Sequence, residues 1–211
     1  MILADQQRKK KMNMPIMLNV RGLPCLVVGG GKIALRKTLT LLRFEAEVTV
    51  VAPSLVRGLR KLAARGLVQW RNSKFRFYHL LGKKLVVAST DDPEINHNVS
   101  RWARRLGLIC NCVDDPAASD FIFPAICFRP PLAIAVSTQG VCPAAARRLK
   151  RKIDAEYGRR YQAYVNKLGA IRTELKTREP DPERRYMLIR RLTNMEPEKL
   201  LDLAEESPQG G

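Results

Sequence analysis

The chain has 211 residues, 45% of them hydrophobic, so it is long enough for one medium domain with an appendage or for two small domains, and disorder is not the default interpretation. Its 38 Lys and Arg against 20 Asp and Glu give a formal net charge of +18, which predicts an anionic partner: nucleic acid, an acidic membrane surface or a polycarboxylate small molecule. No stretch approaches the roughly 20 apolar residues of a membrane span, and no apolar signal region follows the start, so we expect a cytoplasmic protein with no membrane partner.

The cysteines favour reduced, buried thiols over disulfides. There are five of them, an odd number, and they are scattered through apparent strands and one helix start. The pair Cys110 and Cys112 has no second pair to complete a metal site, and the chain has only two histidines. We therefore predict no metal ligands.

Strand and helix signals alternate up to about residue 113. Five short apolar runs predict strands: "CLVV", "EVTVVAP", "LVQW", "KKLVVAST" and "LICNCVD". Between them lie helix-like segments, the first of which is given a packing face by Ile33, Leu35, Leu39, Leu41 and Leu42. Strands that alternate with helices at this spacing predict an α/β fold with a parallel, Rossmann-like sheet.

The pattern changes after this point. The segment "FIFPAICFRPPLAIAVSTQG" holds two strand-like runs joined at Arg129, Pro130 and Pro131, which predicts a hairpin outside the parallel sheet. From Cys142 onward the chain is charged and helical, and three or four helices are expected. Only the last few residues, "ESPQGG", are typical of a loose tail.

Three consecutive glycines, Gly29 to Gly31, stand between the first strand and the first helix. With Ala34 they fit the pattern G-x-G-x-x-A. In this context Gly29 makes the tight turn, Gly31 lets the backbone approach a pyrophosphate, and a small residue at 34 lets the helix lie close to the sheet. The motif therefore predicts a bound dinucleotide; a tight turn in a cofactor-free protein is the alternative.

The type of dinucleotide is less directly encoded. The second strand ends at Val51-Ala52-Pro53-Ser54, without the acid that usually bonds the adenine ribose, and the nearest arginine is Arg57. Backbone groups or Ser54 must then hold the ribose. We favour NAD, while the preference over NADP stays open.

Parallel sheets bind ligands at the carboxyl ends of their strands, where two more polar turns fall. The turn after the fourth strand contains Thr90, a candidate cofactor contact, followed by Asp91 and Asp92, which we interpret as helix-capping residues. Asp114 leaves the fifth strand toward the same crevice without starting a helix. From the residues alone it is as well explained by a functional role as by a turn-forming one.

Five motifs in this order resemble the dehydrogenase/chelatase module of siroheme synthases. They are "LVVGGGKIALRK", "VTVVAPS", "VVASTDDPEINHNVS", "CNCVDDPAASDFIFPA" and "LAIAVSTQGVCPAAARRLK", between about Pro15 and Tyr157. The resemblance implies a homodimer in which NAD accepts hydride from precorrin-2 to give sirohydrochlorin. Members with a second activity then insert ferrous iron, which is a substrate.

Site residues follow from the same resemblance. Lys32 and Ile33 of the glycine turn, with Pro53 and Ser54, would contact NAD. Asp114 matches the aspartate proposed to act in both steps, and Thr138 falls near the tetrapyrrole cleft. Relatives often read "NVVD" where this chain has "NCVD", so Cys112 is a departure. Arg129 is a candidate for holding the carboxylates of the substrate.

The implied organisation is a basic N-terminal extension (1–14), an NAD-binding Rossmann domain (15–115), a dimerisation region (116–145) and a helical region (146–211). No methyltransferase segment follows in this sequence, so another protein is expected to methylate the precursor. Whether iron insertion is present, and what the terminal regions do, is left open.

Two other functions remain to be weighed. A non-catalytic NAD-sensing module would share the glycine turn, but it needs no proton acceptor after the fifth strand. A nucleic-acid-binding protein would interleave aromatic residues with its charges, whereas aromatics make up only 6% here, so we predict no nucleic-acid partner.

Overall fold

A computed structural model of the protein describes residues 12–202. It divides into two compact units, with the boundary between Phe123 and Pro124. Most of the basic extension predicted at 1–14, and the predicted tail, lie outside the described residues. Within the described part, no helix is long and apolar enough to cross a membrane.

The first unit is built on a five-stranded parallel sheet. Its strands are β1 (Pro24–Val28), β2 (Glu47–Val51), β3 (Gln69–Arg71), β4 (Leu85–Ala88) and β5 (Ile109–Cys112). They lie in the order β3-β2-β1-β4-β5, and every pair is parallel. The Rossmann-like sheet is therefore confirmed. Its strand order reverses at β1, which places a crevice at the carboxyl ends of β1 and β4.

Helices cover both faces of this sheet: α1 (Lys32–Arg43), α2 (Arg57–Ala64), α3 (Pro93–Arg105) and a short 3-10 turn (Phe77–Leu80). On one face Leu41 of α1 and Leu59 of α2 pack with Val50, and on the other Val99 of α3 packs with Val86. Because both faces are buried, the central strands are continuous apolar runs instead of alternating ones.

The predicted packing face of α1 was partly wrong. Its buried side is formed by Ala34, Lys37, Thr38 and Leu41, whereas Ile33 and Leu39 are 44% and 49% exposed. The buried residues follow the i, i+3, i+4, i+7 spacing of one helical stripe, and Ile33 and Leu39 lie outside it. Position around the helix, more than side-chain polarity, decides which residues are buried here.

The second unit starts with an antiparallel hairpin of β6 (Ala125–Arg129) and β7 (Leu132–Val136), as predicted. Four helices follow within the described residues, at the upper end of the expected number: α4 (Pro143–Glu156), α5 (Arg159–Arg178), α6 (Pro182–Thr193) and α7 (Pro197–Asp202). A proline opens α4, α6 and α7, where its missing N–H costs no helical hydrogen bond.

The fold class is thus a Rossmann-like sheet followed by a small β region and a helical region. The division into domains at 15–115, 116–145 and 146–211 stays a prediction. The parallel sheet lies within the first range and the hairpin within the second.

Candidate functional site

The glycine turn joins β1 to α1 and touches the end of β4. Gly29 has a φ of 122°, a conformation that residues with a side chain rarely adopt. A Cβ on Gly29 would lie 2.5 Å from the carbonyl oxygen of Ser89. The N–H of Gly29 donates to the carbonyl oxygen of Val51 at 2.9 Å. Position 29 therefore requires glycine for two reasons, its backbone angle and its neighbours.

The other two glycines differ from one another. A Cβ on Gly30 would lie 1.8 Å from the carbonyl oxygen of Ser54, whereas a Cβ on Gly31 would meet nothing within 4 Å. The N–H of Val56 donates to the oxygen of Gly30 at 2.8 Å. Gly30 thus packs directly against the β2–α2 loop, and this contact brings Pro53 and Ser54 beside the glycine turn.

The space above Gly31 fits a dinucleotide phosphate. Gly31 is the N-cap residue of α1, and no side chain of the described range caps this helix, so the N–H groups of its first turn face outward. Lys32 and Ile33, the first helical residues, are exposed. Free N–H groups at a helix N-terminus bind phosphate through hydrogen bonds and the helix dipole.

The start of α3 shows the opposite arrangement. The side chain of Asp92 accepts hydrogen bonds from the N–H groups of Glu94 and Ile95, at 2.9 and 3.3 Å. Capping of α3 is therefore confirmed for Asp92, whereas the prediction was wrong for Asp91, which lies before the N-cap position. The carboxylate of Asp92 thus occupies the first-turn N–H groups of α3, whereas the corresponding N–H groups of α1 have no side-chain acceptor.

Asp114 lies two residues beyond β5, at the same edge of the sheet, with an exposed side chain. Nδ2 of Asn96 donates to its Oδ2 at 3.0 Å, and Sγ of Cys112 donates to its Oδ1 at 3.2 Å. The N–H of Val113 donates to the oxygen of Ala88 at 3.0 Å, which ties this loop to the end of β4. The carboxylate of Asp114 is therefore held by hydrogen bonds on the side that faces the protein and is exposed to solvent on the other side.

These contacts set the pKa of Asp114. Partial burial raises it, but hydrogen bonds from Asn96, from Cys112 and from the residue's own N–H outweigh this effect, so the pKa lies below that of an ordinary aspartate. Burial, followed by the hydrogen bond to Asp114, raises the pKa of Cys112 to about 12. Asp114 is thus a carboxylate at neutral pH, and Cys112 is a thiol that can donate to it.

Thr90 and Asn96 form the link between β4 and Asp114. The N–H of Thr90 donates to Oδ1 of Asn96 at 2.9 Å, and Nδ2 of Asn96 donates to the oxygen of Thr90 at 3.1 Å. The hydroxyl of Thr90 lies 2.9 Å from the oxygen of Asp92 and 2.8 Å from Oδ1 of Asn96. Thr90 therefore shapes the turn, and its contact with the cofactor stays a prediction.

Asn96 was not identified from the sequence. It is only 1% exposed and lies on α3 with Val99, Ser100 and Ala103 on the buried side of the helix. An asparagine on the apolar stripe of an amphipathic helix was the available signal, because a buried amide needs partners for all its hydrogen bonds.

The two predicted substrate residues belong to the second unit. Nη2 of Arg129 lies 3.3 Å from Oδ1 of Asp154, and Nζ of Lys150 lies 3.0 Å from Oδ2 of the same carboxylate. Oγ1 of Thr138 accepts a hydrogen bond from the N–H of Cys142 at 3.0 Å, just before α4. Both side chains thus have structural partners within their own unit, and their roles toward a substrate stay predictions.

Four of the cysteines are buried and Cys142 is exposed, and all five are free thiols. Burial raises the pKa of Cys110 to about 12 and that of Cys25 to about 11, so both are protonated at neutral pH. In residues 12–202 no group of three or more His, Cys, Asp and Glu side chains is arranged to hold a metal ion.

Comparison with known proteins places this site in context. Residues 16–125 match the model of a family described as putative NAD(P)-binding. A siroheme synthase of Methylococcus capsulatus is 41% identical over 172 residues, which cover 82% of this chain and 36% of that protein. A siroheme synthase of Methylobacillus flagellatus is 45% identical over 150 residues, which cover 69% of this chain and 32% of that protein. The chain spans about one third of the length of these relatives.

Among solved structures, SirC, a precorrin-2 dehydrogenase, superposes with a TM-score of 0.73 at 25% identity, covering 92% of this chain and all of that one. The resemblance to siroheme synthases drawn from the five motifs is thus confirmed. Since the family model covers more than half of the sequence, including the glycine turn, Pro53, Ser54, Thr90 and Asp114, the chain belongs to this NAD(P)-binding family.

Proposed function

We propose that the protein oxidises precorrin-2 to sirohydrochlorin, with NAD⁺ as the hydride acceptor. The observation that carries the proposal is the position of an ionised carboxylate, Asp114, at the same sheet edge as a glycine turn suited to a dinucleotide. The relatedness to siroheme synthases and the superposition of 92% of the chain on SirC, a precorrin-2 dehydrogenase, support the choice of substrate.

Removing two hydrogens from a carbon framework releases a hydride and a proton. When bound, NAD⁺ supplies the hydride acceptor. The chain's part is to bind the pyrophosphate at the N–H groups of Lys32 and Ile33 and to receive the proton at Asp114. Because its pKa is low, Asp114 is unprotonated over the whole neutral range, as a general base must be.

NAD is proposed over NADP because of the end of β2. Its last residue, Val51, is followed by Pro53 and Ser54, which are exposed beside the glycine turn. Neither an acid for the ribose hydroxyls nor an arginine for a 2′-phosphate stands at this point of the sequence. In the proposal, Ser54 and backbone groups hold an unphosphorylated ribose.

The substrate carries eight carboxylates, which suits a chain with a net charge of +18. We place Arg129 and Thr138 at its side chains. The side chain of Arg129 is 40% exposed and pairs with Asp154 through Nη2, which leaves other donors of its guanidinium accessible to a substrate carboxylate. Arginine favours carboxylates because its donors match their two oxygens.

We also propose a homodimer formed through the β6–β7 hairpin. Cys127 and Arg129 contact α4, so the residues that alternate with them along β6, Ile126 and Phe128, point to the opposite face of the hairpin. There Ile126 is paired in the ladder with Ala135, which is exposed. A two-stranded hairpin gains stability when a second copy covers such a face. Ile126→Arg should give monomers in light scattering after gel filtration, whereas Ala155→Arg, on exposed α4 surface, should not.

The deciding experiment is anaerobic incubation with precorrin-2 and NAD⁺, followed by ferrous iron. We expect the absorbance of NADH and sirohydrochlorin to rise together in the first stage. A second change, to siroheme, would add iron insertion to the activity, with Fe²⁺ as substrate. Binding of NAD⁺ without any oxidation of precorrin-2 would overturn the proposal and favour a non-catalytic NAD-sensing module. The cytoplasmic location stays part of the proposal.

A further inference from the structure

The carboxylate of Asp114 has one protein donor on each of its two oxygens. Asn96 donates to Oδ2 at 3.0 Å, and Cys112 donates to Oδ1 at 3.2 Å. Both donors are buried, with exposed fractions of 1% and 2%, whereas the acceptor is exposed. Rotation of the carboxylate about its Cβ–Cγ bond breaks at least one of the two hydrogen bonds, because their geometry is directional.

We propose that Asn96 and Cys112 are positioning residues, which together fix the orientation of the Asp114 carboxylate for proton transfer. The inference rests on the proposed function in one respect, namely that Asp114 is the proton acceptor. The two hydrogen bonds themselves are a property of the described residues.

The orientation of the Asn96 amide follows from its partners. The N–H of Thr90 can only donate, so the group that faces it at 2.9 Å must be Oδ1. Nδ2 then faces the oxygen of Thr90 at 3.1 Å and Oδ2 of Asp114 at 3.0 Å, and uses both of its hydrogens. A buried amide with every hydrogen bond made is costly to rotate, so Asn96 holds Asp114 relative to β4.

The buried thiol of Cys112 donates to the other carboxylate oxygen of Asp114, Oδ1. Its N–H donates to Oγ of Ser119 at 2.9 Å, and Oγ of Ser119 donates in turn to the oxygen of Cys112. The thiol is therefore fixed at its backbone, and burial keeps it protonated. A thiol is a weak donor, but its bond to an ionised acceptor is strengthened by the charge.

Nearby charged side chains do not account for the lowered pKa of Asp114. The neighbouring elements along this edge carry several ionisable groups: Lys32, Asp91, Asp92, Glu94, His97, Cys112 and Asp115. Cys112 apart, none of them is a cause of the shifted pKa of Asp114, which comes from partial burial and hydrogen bonds. The two donors are therefore the groups to alter.

The test compares a matched pair at position 112. Cys112→Ser keeps a donor, and Cys112→Val has a similar volume without one. At position 96, Asn96→Asp keeps an acceptor toward Thr90 but sets a second carboxylate against Asp114. The pKa of Asp114 is measured by carboxyl-carbon NMR titration of each folded variant, and the pH profile of kcat/KM for precorrin-2 oxidation is measured alongside.

We expect the pKa of Asp114 to rise by about one unit in Cys112→Val and further in Asn96→Asp, with Cys112→Ser close to the unsubstituted protein. The acidic limb of the pH profile should move by the same amount, whereas a merely structural role would lower kcat/KM equally at every pH. An unchanged pKa in folded Cys112→Val and Asn96→Asp overturns the inference. Should Asn96→Asp not fold, the pair at position 112 decides alone. If the unsubstituted protein does not oxidise precorrin-2, the proposed function fails, and the NMR titration still decides the positioning role.

Discussion

Gly30 and Ser54 are in direct backbone contact: a Cβ on Gly30 would lie 1.8 Å from the carbonyl oxygen of Ser54. These residues are 24 positions apart, in the turns that follow β1 and β2. The contact fixes the glycine turn, proposed to bind the pyrophosphate, against the loop proposed to hold the ribose. Gly30, the middle glycine of the motif, is therefore needed for packing against the β2–α2 loop, whereas Gly31 leaves space that a ligand could occupy.

This difference predicts opposite results for two alanine substitutions. Gly30→Ala should lower the free energy of unfolding by about 3 kcal/mol, because the methyl group collides with backbone atoms that cannot easily move. Gly31→Ala should change it by less than about 1 kcal/mol, since its φ is ordinary and its methyl group meets open space.

Urea denaturation and NAD⁺ titration check the pair. Gly31→Ala should nevertheless raise the Kd for NAD⁺ by about tenfold or more, because the methyl group occupies the space proposed for the pyrophosphate. Equal affinity of Gly31→Ala and the unsubstituted protein would contradict the assignment of this space.

Asp114→Asn should abolish most of the oxidation of precorrin-2. The amide keeps the size of the side chain but cannot accept the proton, so we expect a fall in kcat of about 10²- to 10⁴-fold. NADH formation under saturating substrate measures this. The Kd for NAD⁺ should stay the same, because the proposed phosphate contacts lie at α1; a variant with full activity would assign the proton acceptor to another group.

Lys37→Met should stabilise the protein at neutral pH. Lys37 is buried on α1 with Nζ 4.0 Å from the centre of the Phe123 ring, and burial, with a smaller effect of Arg36, lowers its pKa from 10.5 to about 8. The unfolded chain therefore binds this proton more tightly than the folded one. Below pH 8 the difference destabilises the fold by about 3 kcal/mol, which methionine removes.

The pH dependence of this effect has a definite sign. Between pH 8 and 10.5 the unfolded chain holds more protons, so the stability of the unsubstituted protein rises with pH and the advantage of Lys37→Met shrinks. Urea denaturation at pH 7 and pH 10 measures both values. An advantage of equal size at the two pH values would show that the gain does not come from the charge.

Asp92→Ala should cost about 1 kcal/mol of unfolding free energy, because the N–H groups of Glu94 and Ile95 lose their acceptor. Asp91→Ala is the matched control, since Asp91 is exposed on the same turn and makes no cap. Thermal unfolding of both variants tests this, and an equal loss in the two would contradict the capping role.

The parallel sheet could be predicted because the patterns that identify its strands and helices lie in consecutive residues. Each central strand, such as Leu26–Val28 in β1, is an apolar run closed by glycine or polar residues, and each intervening segment has a helical pattern. The cap at Asp92 was predicted for the same reason, since a cap involves only residues two or three positions away. The glycine turn and Asp114 were identified from motifs that occupy adjacent positions.

Other features could not be predicted because they depend on distant partners. The packing face of α1 was partly wrong, since the apolar residues Ile33 and Leu39 lie outside the stripe that faces the sheet. Lys37 lies inside that stripe, where its charge gave no indication of burial. Neither result follows from composition, because the direction in which a helix faces is set by the sheet beneath it.

The amino-acid sequence by itself determined the order of strands and helices, the glycine turn and the presence of an acid beyond β5, because each of these is written in neighbouring residues. The tertiary structure alone decided that Gly30 packs on Ser54 and that Asn96 reaches both Thr90 and Asp114. Those contacts join segments that only the parallel sheet brings to one edge, and their cost or benefit depends on burial, which a linear sequence does not specify.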